Sequence, residues 1–299
     1  MKVTEPGATL AMPQLNVVEA GVQQFAAELR DESADQHPHV QAAMDCYLGV
    51  LAAGGKRTRG LLTLCGYEMY GGDDPQMIAS AAGVIEGLHA SMLVIDDVAD
   101  NAGTRRGKPS AHVAMDGFLQ EQGADFDTAK LAGDMVITAA LTAQNHGQSM
   151  LMRLDVPAEQ KVRASVAMNR HLARTGLGQI MDLASTTTLF EDDDITRVAY
   201  LKTALYSVQM PLETGAYLAS AHATPCEQLG EYAQHSGIAF QLHDDIMGTF
   251  GNEAEMGKSP KSDLVEGKQT LLVSYALSRA NEAQRKILKH AIGNPGLSD

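Results

Sequence analysis

The stretch DPQMIASAAGVIEGLHASMLVIDDVAD (residues 74–100) decides the fold. Asp74 and Pro75 are typical of a helix start, because Asp caps free backbone amides and Pro suits the first helical position. The apolar residues that follow, among them Val84, Leu88 and Met92, recur at the three- and four-residue spacing of one helix face. The stretch therefore predicts a long apolar helix that ends in the acidic sequence DDVAD.

The same periodicity runs through most of the chain, and no alternation typical of strands competes with it. Only 14 of the 299 residues are Phe or Tyr and none is Trp, which favours helices over β-sandwiches or barrels. Repeats, low-complexity tracts and divisive linkers are absent from the sequence. The further predicted helices cover residues 14–30, 39–53, 56–70, 129–144, 158–185, 195–221, 226–250 and 270–292. We predict an all-α fold with one domain over residues 1–299.

Composition narrows the classes of function. The formal charge of −14 makes a nucleic-acid clamp improbable. The longest apolar run, residues 135–143, is about half of the roughly 20 residues that span a bilayer, and the first 15 residues do not read as a signal peptide. The three cysteines are far apart and read as buried thiols. We expect a soluble cytoplasmic protein without a membrane span.

The acidic end of the long helix is a candidate metal site. Asp96 and Asp100 are four residues apart and share a helix face, while Asp97 is rotated by about 100° and can support them from the side. Such close carboxylates repel, and a bound cation offsets this repulsion. Oxygen ligands favour Mg²⁺ or Ca²⁺ over zinc. The alternative, a solvated helix end, is weakened because carboxylates oppose the helix dipole at that end.

A basic loop and a second acidic group accompany this motif. Arg105, Arg106 and Lys108 follow within a glycine-bounded loop and would hold the phosphate oxygens of a metal-bound diphosphate. In FQLHDDIMG (residues 240–248), one side of a helix carries Gln241, Asp244 and Asp245. Acidic groups on two helices can face each other across a bundle core, where metal sites are commonly built.

A third motif, GGKRTRG (residues 54–60), is a candidate anion site. It is not a P-loop, because Arg57 follows Lys56 where Ser or Thr is required and no strand precedes it. A glycine pair that opens a helix beginning with Lys and Arg nevertheless offers backbone amides, a positive dipole end and two or three cations. We therefore predict a phosphate site here.

Taken together, these motifs resemble the trans-isoprenyl diphosphate synthases of the polyprenyl synthetase family. The family patterns GGKxxR, DDxxD…RRG, GQxxD, Lys-Thr, FQxxDD and GKxxxDxxxGKxT occur in order between residues 54 and 270. The matching residues are Gly54, Gly55, Lys56, Arg59, Asp96, Asp97, Asp100, Arg105, Arg106, Gly107, Gly178, Gln179, Asp182, Lys202, Thr203, Phe240, Gln241, Asp244, Asp245, Gly257, Lys258, Asp263, Gly267, Lys268 and Thr270. The resemblance implies an antiparallel helical bundle with a central active-site cavity, a homodimer and Mg²⁺ as cofactor.

The resemblance also implies roles for individual residues. Asp96, Asp100 and Asp244 would bind Mg²⁺ on an allylic diphosphate, with Asp97 and Asp245 in support. Arg105, Lys202 and Lys258 would hold that diphosphate, assisted by Lys268. Isopentenyl diphosphate would be held by Gly55, Lys56, Arg59, His89 and Arg106. Thr203 and Gln241 would stabilise the allylic cation formed when diphosphate leaves; isopentenyl diphosphate attacks that cation, and a proton is then lost to the departed diphosphate.

The residues one turn before Asp96 bear on product length. Ser91 and Met92 stand where aromatic residues close the cavity in farnesyl-type relatives, so we predict geranylgeranyl diphosphate (C20), with C15 or longer products as alternatives. A class I terpene cyclase needs no second anion site, which argues against that class. A non-catalytic partner subunit would be expected to lose acids, whereas both acid pairs are present. Gly248 and Gln269 depart from the family pattern, at a third aspartate and at an arginine.

Overall fold

The computed structural model describes residues 12–187, 190–220, 222, 227–251, 264–265, 267–294 and 296. These residues are mostly helical, as predicted; the strand they contain is one short antiparallel pair, β1 (Thr104–Arg105) and β2 (Lys108–Pro109). The α-helices are α1 (Met12–Ser33), α2 (Pro38–Ala52), α3 (Thr58–Met69), α4 (Pro75–Ala99), α5 (Ala111–Glu121), α6 (Ala129–Met152), α7 (Ala158–Ala184), α8 (Asp192–Val198), α9 (Met210–Ala219), α10 (Glu227–Phe250), α11 (Leu271–Arg279) and α12 (Glu282–Ala291). A π-helix (Ala199–Gln209) joins α8 to α9.

The chain divides into two compact units. Unit 1 comprises Met1–Met168 and Pro211–Pro225, and unit 2 comprises Asn169–Met210 and Cys226–Asp299. The predicted all-α class is confirmed, and the assignment of residues 1–299 to one domain stays a prediction.

Helix α4 is the core of unit 1. As predicted, Asp74 caps it, because its side chain accepts hydrogen bonds from the amides of Gln76 (2.9 Å) and Met77 (3.1 Å). Helices α1, α2, α3, α5 and α6 pack around it. By length and composition α4 could cross a membrane, but 72% of its most apolar window is buried inside the protein. Its apolar character is therefore accounted for by packing within the unit.

Glycines set the approach of α1 to α4. A Cβ atom on Gly21 would lie only 1.8 Å from the carbonyl oxygen of Ala79, and one on Gly83 would lie 2.1 Å from the carbonyl oxygen of Gly21. The ring of Phe25 rests in the same way on Gly87. The two backbones therefore touch at positions where any side chain would force them apart.

In unit 2, helix α10 packs on the π-helix. A Cβ atom on Gly237 of α10 would lie 2.3 Å from the Cα of Ala204, so this contact too requires glycine. The amide of Met210 donates to the carbonyl of Leu205, five residues back. Pro211 follows; proline has no N–H and its ring crowds the carbonyl four residues earlier, which favours a wider turn. The π-helix carries Lys202 and Thr203.

The structure divides two of the predicted helices and contains one that the sequence did not predict. Of residues 195–221, predicted as one helix, residues 195–219 form the end of α8, the π-helix and α9. Residues 270–292 form two helices, because Asn281 starts α12 with a capping box that it makes with Gln284. Helix α5 was not predicted at all. Helix α8 has an acidic start, in which Glu191 and Asp194 form a capping box.

Candidate active site

The carboxylates at the end of α4 point in different directions. Asp97 is fully buried and faces Arg105, whose Nε donates to Asp97 Oδ1 over 2.9 Å. Asp96 and Asp100 are half-buried, and Asp96 Oδ2 lies 3.9 Å from Arg105 Nη2. Burial acts to lower the pKa of Arg105, but the carboxylates around it raise that pKa above its usual value. Arg105 is therefore a permanent cation, fixed by Asp97, beside the two carboxylates that share a helix face.

The side chains of Arg105 and Arg106 point to different places because a tight turn begins between them. Arg106 and Gly107 both have positive φ, 53° and 73°, as in the type I′ turns that join antiparallel strands. Arg105 turns back to Asp97, whereas the guanidinium of Arg106 donates to the carbonyl oxygen of Gly54. Neighbouring arginines thus contact two different parts of unit 1, and their separate roles stay predictions.

The predicted isopentenyl diphosphate residues lie together within unit 1. Arg59 Nη1 donates to His89 Nε2 over 3.2 Å, and Arg106 lies against Gly55, where a Cβ atom would meet its Nη2 at 2.9 Å. Burial, followed by the charges of Arg59, Arg106, Arg105 and Arg57, lowers the pKa of His89 well below its usual value. Lys56 is exposed on the same loop. The arrangement concentrates positive charge around a neutral histidine and is suited to a diphosphate.

One cation counted in the sequence does not belong to this group. Arg57 is buried, and its Nε donates to Glu19 Oε1 over 2.9 Å. Helix α3 begins after it, at Thr58 rather than at Lys56 as predicted. In the GGKRTRG motif, Lys56 is therefore exposed, Arg59 is half-buried beside His89, and Arg57 is buried in an ion pair.

In unit 2 a chain of hydrogen bonds connects the π-helix with α10. The hydroxyl of Thr203 donates to Gln241 Oε1, and Gln241 Nε2 donates to Asp245 Oδ1 over 2.7 Å. Asp245 is buried, while Asp244 is exposed. The bond to Asp245 orients the Gln241 amide so that its oxygen faces Thr203, and the three predicted residues lie side by side.

Lys202 has a partner to which the sequence analysis gave no role. Its Nζ lies 2.6 Å from Asp182 Oδ2, an aspartate of the GQxxD motif on α7. Gly178, one turn earlier on α7, lets the π-helix approach: a Cβ atom there would lie 2.7 Å from the amide nitrogen of Lys202. The motif thus contacts both the backbone and the side chain of Lys202, and the signal in the sequence was its match to the GQxxD pattern of the family.

The GKxxxDxxxGKxT segment supplies two predicted lysines and contains a glutamine that makes contacts in the structure. Lys268 is half-buried, whereas Lys258 lies outside the described residues. Gln269, which replaces a common arginine, accepts from the amide of Phe190 over 3.0 Å and donates to the carbonyl of Ser185. This glutamine therefore links Ser185, just after α7, to Phe190, just before α8.

The two chain-length residues differ in environment. Ser91 is fully buried, and its hydroxyl donates to the carbonyl of Ala140 on α6 over 3.0 Å. Met92 is half-buried and lies four residues before Asp96, so it shares a helix face with that aspartate. Met92 is therefore the better placed of the two to meet a prenyl chain.

The carboxylates supply the hard oxygen donors that Mg²⁺ prefers. Asp96, Asp97 and Asp100 belong to unit 1, and Asp244 and Asp245 belong to unit 2. Among the residues that the structure describes, no group of three or more His, Cys, Asp or Glu lies close enough to hold a metal ion. The joint metal cluster stays a prediction.

Comparison with known proteins first defines the class. A solved geranylgeranyl pyrophosphate synthase from Corynebacterium glutamicum, complexed with isoprenyl diphosphate and magnesium, matches with a TM-score of 0.86 and 28% identity, over 95% of this chain and 82% of that chain. The fold is therefore that of the isoprenyl diphosphate synthases, which are prenyltransferases.

Sequence comparison then gives the family. The polyprenyl synthetase model matches residues 40–298, and the chain belongs to this family. The geranylgeranyl diphosphate synthase of Saccharolobus solfataricus is 34% identical over 82% of this chain and 69% of its own length. The geranylfarnesyl diphosphate synthase of Aeropyrum pernix is 33% identical, over 79% of this chain and 71% of its own length. The chain is thus a trans-isoprenyl diphosphate synthase, as the sequence predicted.

Proposed function

We propose that this prenyltransferase joins isopentenyl diphosphate to an allylic diphosphate and releases geranylgeranyl diphosphate (C20). The observation that carries the proposal is the cationic group of Arg59 and Arg106 around His89, because a second diphosphate requires a second anion site. A terpene cyclase, which binds one diphosphate, has no use for it. Relatives named as geranylgeranyl synthases support the C20 product.

The family implies a divalent metal ion, which we propose is Mg²⁺ held by Asp96, Asp100 and Asp244, with Asp97 and Asp245 in support. When bound, Mg²⁺ would neutralise charge on the leaving diphosphate. Arg105, already fixed by Asp97, would hold the same diphosphate together with Lys202 and Lys258, and Lys268 would assist. Fixed cations of this kind favour ionisation because they need no reorganisation when the negative charge develops.

Isopentenyl diphosphate would lie on the cationic group formed by Gly55, Lys56, Arg59, His89 and Arg106. With its diphosphate fixed, its double bond can attack the allylic cation as the new carbon–carbon bond forms. The oxygens of Thr203 and Gln241 would face that cation and stabilise it. Loss of a proton to the departed diphosphate restores the double bond.

The test is a product assay. Purified protein is incubated with Mg²⁺, isopentenyl diphosphate and, in separate reactions, dimethylallyl, geranyl or farnesyl diphosphate, and products are identified by mass spectrometry. A C20 product supports the proposal. A C15 or C25 end product would retain the enzyme and overturn the product assignment, whereas no condensation would favour the non-catalytic subunit.

Met92→Phe is expected to shorten the product. A phenyl ring on the Asp96 face of α4 would block the growing prenyl chain. The methionine side chain is flexible and can move out of its path. We expect the main product to change from C20 to C15, with total turnover within about threefold, measured in the same assay. Val113→Phe, at an exposed position of α5, is the control. A C20 product from Met92→Phe would place the end of the cavity elsewhere.

We also propose that the protein is a cytoplasmic homodimer, as the family resemblance implies. Leu131 and Leu141 of α6 are 41% and 48% exposed, and a partner that covered α6 would bury them. Leu141→Glu is expected to shift the dimer to monomer in sedimentation equilibrium, whereas Thr142→Glu one position along is expected to do so less. A dimer unaffected by Leu141→Glu would exclude this helix face as the interface.

A further inference from the structure

Glu86 is a charged residue in the middle of the most apolar helix of unit 1. Its side chain is only 3% exposed, in α4 among buried Ile85, Gly87 and Leu88. Burying a carboxylate is costly unless it is both paired and hydrogen-bonded. The GGKRTRG motif supplies both the charged partner and the hydrogen-bond donor of Glu86.

The first partner is the start of helix α3. Arg57 is the N-cap residue of this helix, and an arginine side chain has no acceptor with which to cap the free amides. Glu86 Oε1 accepts from the amide of Gly60 over 2.8 Å and so supplies the acceptor from another helix. A carboxylate at this end also matches the helix dipole.

The second partner is the side chain of Arg57. Glu86 Oε2 lies 3.7 Å from Arg57 Nη1, and the remaining guanidinium bonds go to Glu19 and to the carbonyl of Leu51. Arg57 has φ 50°, a left-handed conformation that costs about 1 kcal/mol or more for a residue other than glycine. The ion pairs of Arg57, with buried Glu86 and with the more exposed Glu19, hold its backbone in this conformation between the glycine pair and Arg59.

Glu86 is also one helical turn from His89, so the two side chains share a face of α4. Gly60, which Glu86 holds, is the neighbour of Arg59, and Arg59 contacts His89. Glu86 further acts as a counter-charge for Arg106, since it raises the pKa that burial and neighbouring arginines lower. The contacts of Glu86 therefore lie beside the cationic group that α3 and α4 form around His89.

We propose that Glu86 is a positioning residue for the isopentenyl diphosphate site: it caps α3 from α4 and pairs with Arg57, and thereby holds Arg59 beside His89. This inference rests on the proposed assignment of that site. It adds a residue that touches no substrate and that governs one of the two substrates alone.

The test is steady-state kinetics of Glu86→Gln with each substrate varied in turn. Glutamine keeps the size and the acceptor for Gly60 but removes the charge. We expect KM for isopentenyl diphosphate to rise about tenfold or more, with KM for the allylic diphosphate and kcat within about twofold to threefold. Val84→Ala, at a buried position of the same helix that packs on Gly147, is the control; it should lower Tm and leave both KM values unchanged.

Two further variants separate the possible failures. Arg59→Gln should raise KM for isopentenyl diphosphate; if it does not, the site itself is misassigned. If Arg59→Gln raises that KM and folded Glu86→Gln does not, only the positioning role is overturned. If Glu86→Gln fails to fold, Glu86→Asp keeps the charge but draws the carboxylate back from Gly60 and Arg57; an unchanged KM for isopentenyl diphosphate in that variant would overturn the proposal.

Discussion

Asp96→Asn is expected to lower kcat about thousandfold or more at saturating substrate and 5 to 10 mM Mg²⁺. The amide removes a negative charge from the face of α4 that Asp96 shares with Asp100, so the proposed Mg²⁺ binding weakens and the diphosphate leaves more slowly. Turnover of labelled isopentenyl diphosphate, titrated with Mg²⁺, measures the effect. We also expect the Mg²⁺ concentration for half-maximal rate to rise.

Asp134→Asn is the matched control, because Asp134 is an exposed aspartate of α6 paired only with Lys130 in the contacts the structure gives for it. It should leave kcat and the Mg²⁺ dependence unchanged. Asp97→Asn should act differently from Asp96→Asn: it leaves Arg105 without its buried partner, so a lower Tm accompanies any loss of rate. Retention of more than a tenth of the activity by Asp96→Asn would contradict the role proposed for Asp96.

Gly21→Ala is expected to destabilise unit 1 by roughly 4 kcal/mol, or to prevent folding. The added methyl would lie 1.8 Å from the carbonyl oxygen of Ala79 and 2.6 Å from its carbon, which are backbone atoms that cannot rotate away. Helix α1 would have to move off α4, and the packing of Phe25 on Gly87 would be lost. Urea unfolding followed by circular dichroism measures the change.

Gly49→Ala is the control for the same chemical change. Gly49 lies in α2, is exposed, and a Cβ atom there would have no heavy atom within 4 Å among the described neighbours. Alanine in such a helix position should stabilise by about 0.5 to 1 kcal/mol. Equal unfolding midpoints for Gly21→Ala and the unsubstituted protein would show that α1 and α4 are not in contact in solution.

The helices that sequence periodicity predicts well are those with one apolar face and clear ends. Helix α4 starts at Pro75, as its Asp-Pro signal indicates, and α7 is predicted within one residue of its end. Helix α5 was missed because it is short and follows the basic loop, where Gly and Pro signals dominate. The π-helix was missed because the sequence around Lys202 keeps an ordinary helical pattern, and a wider turn changes hydrogen bonds rather than residue types.

The candidate site was predicted in its residues and less well in its contacts. Arg59, His89 and Arg106 come from motifs 17 or more residues apart, yet the structure places them together. The sequence left open whether the GGKRTRG motif offers two or three cations to an anion, because charge alone does not reveal that Arg57 is buried. Glu86 and Asp182 received no role because their importance lies in what they hold, Gly60 and Lys202, which sequence spacing does not reveal.

The sequence by itself determined the helical class, the family and which side chains carry the chemistry, because periodicity, caps and acidic or basic motifs are local properties of the chain. The tertiary structure alone decided which of those charges face inward. Arg57 and Asp97 are buried in ion pairs because α3 packs against α4 and Arg105 of β1 reaches the end of α4. A charge removed from water needs a partner, and only the tertiary packing brings that partner near.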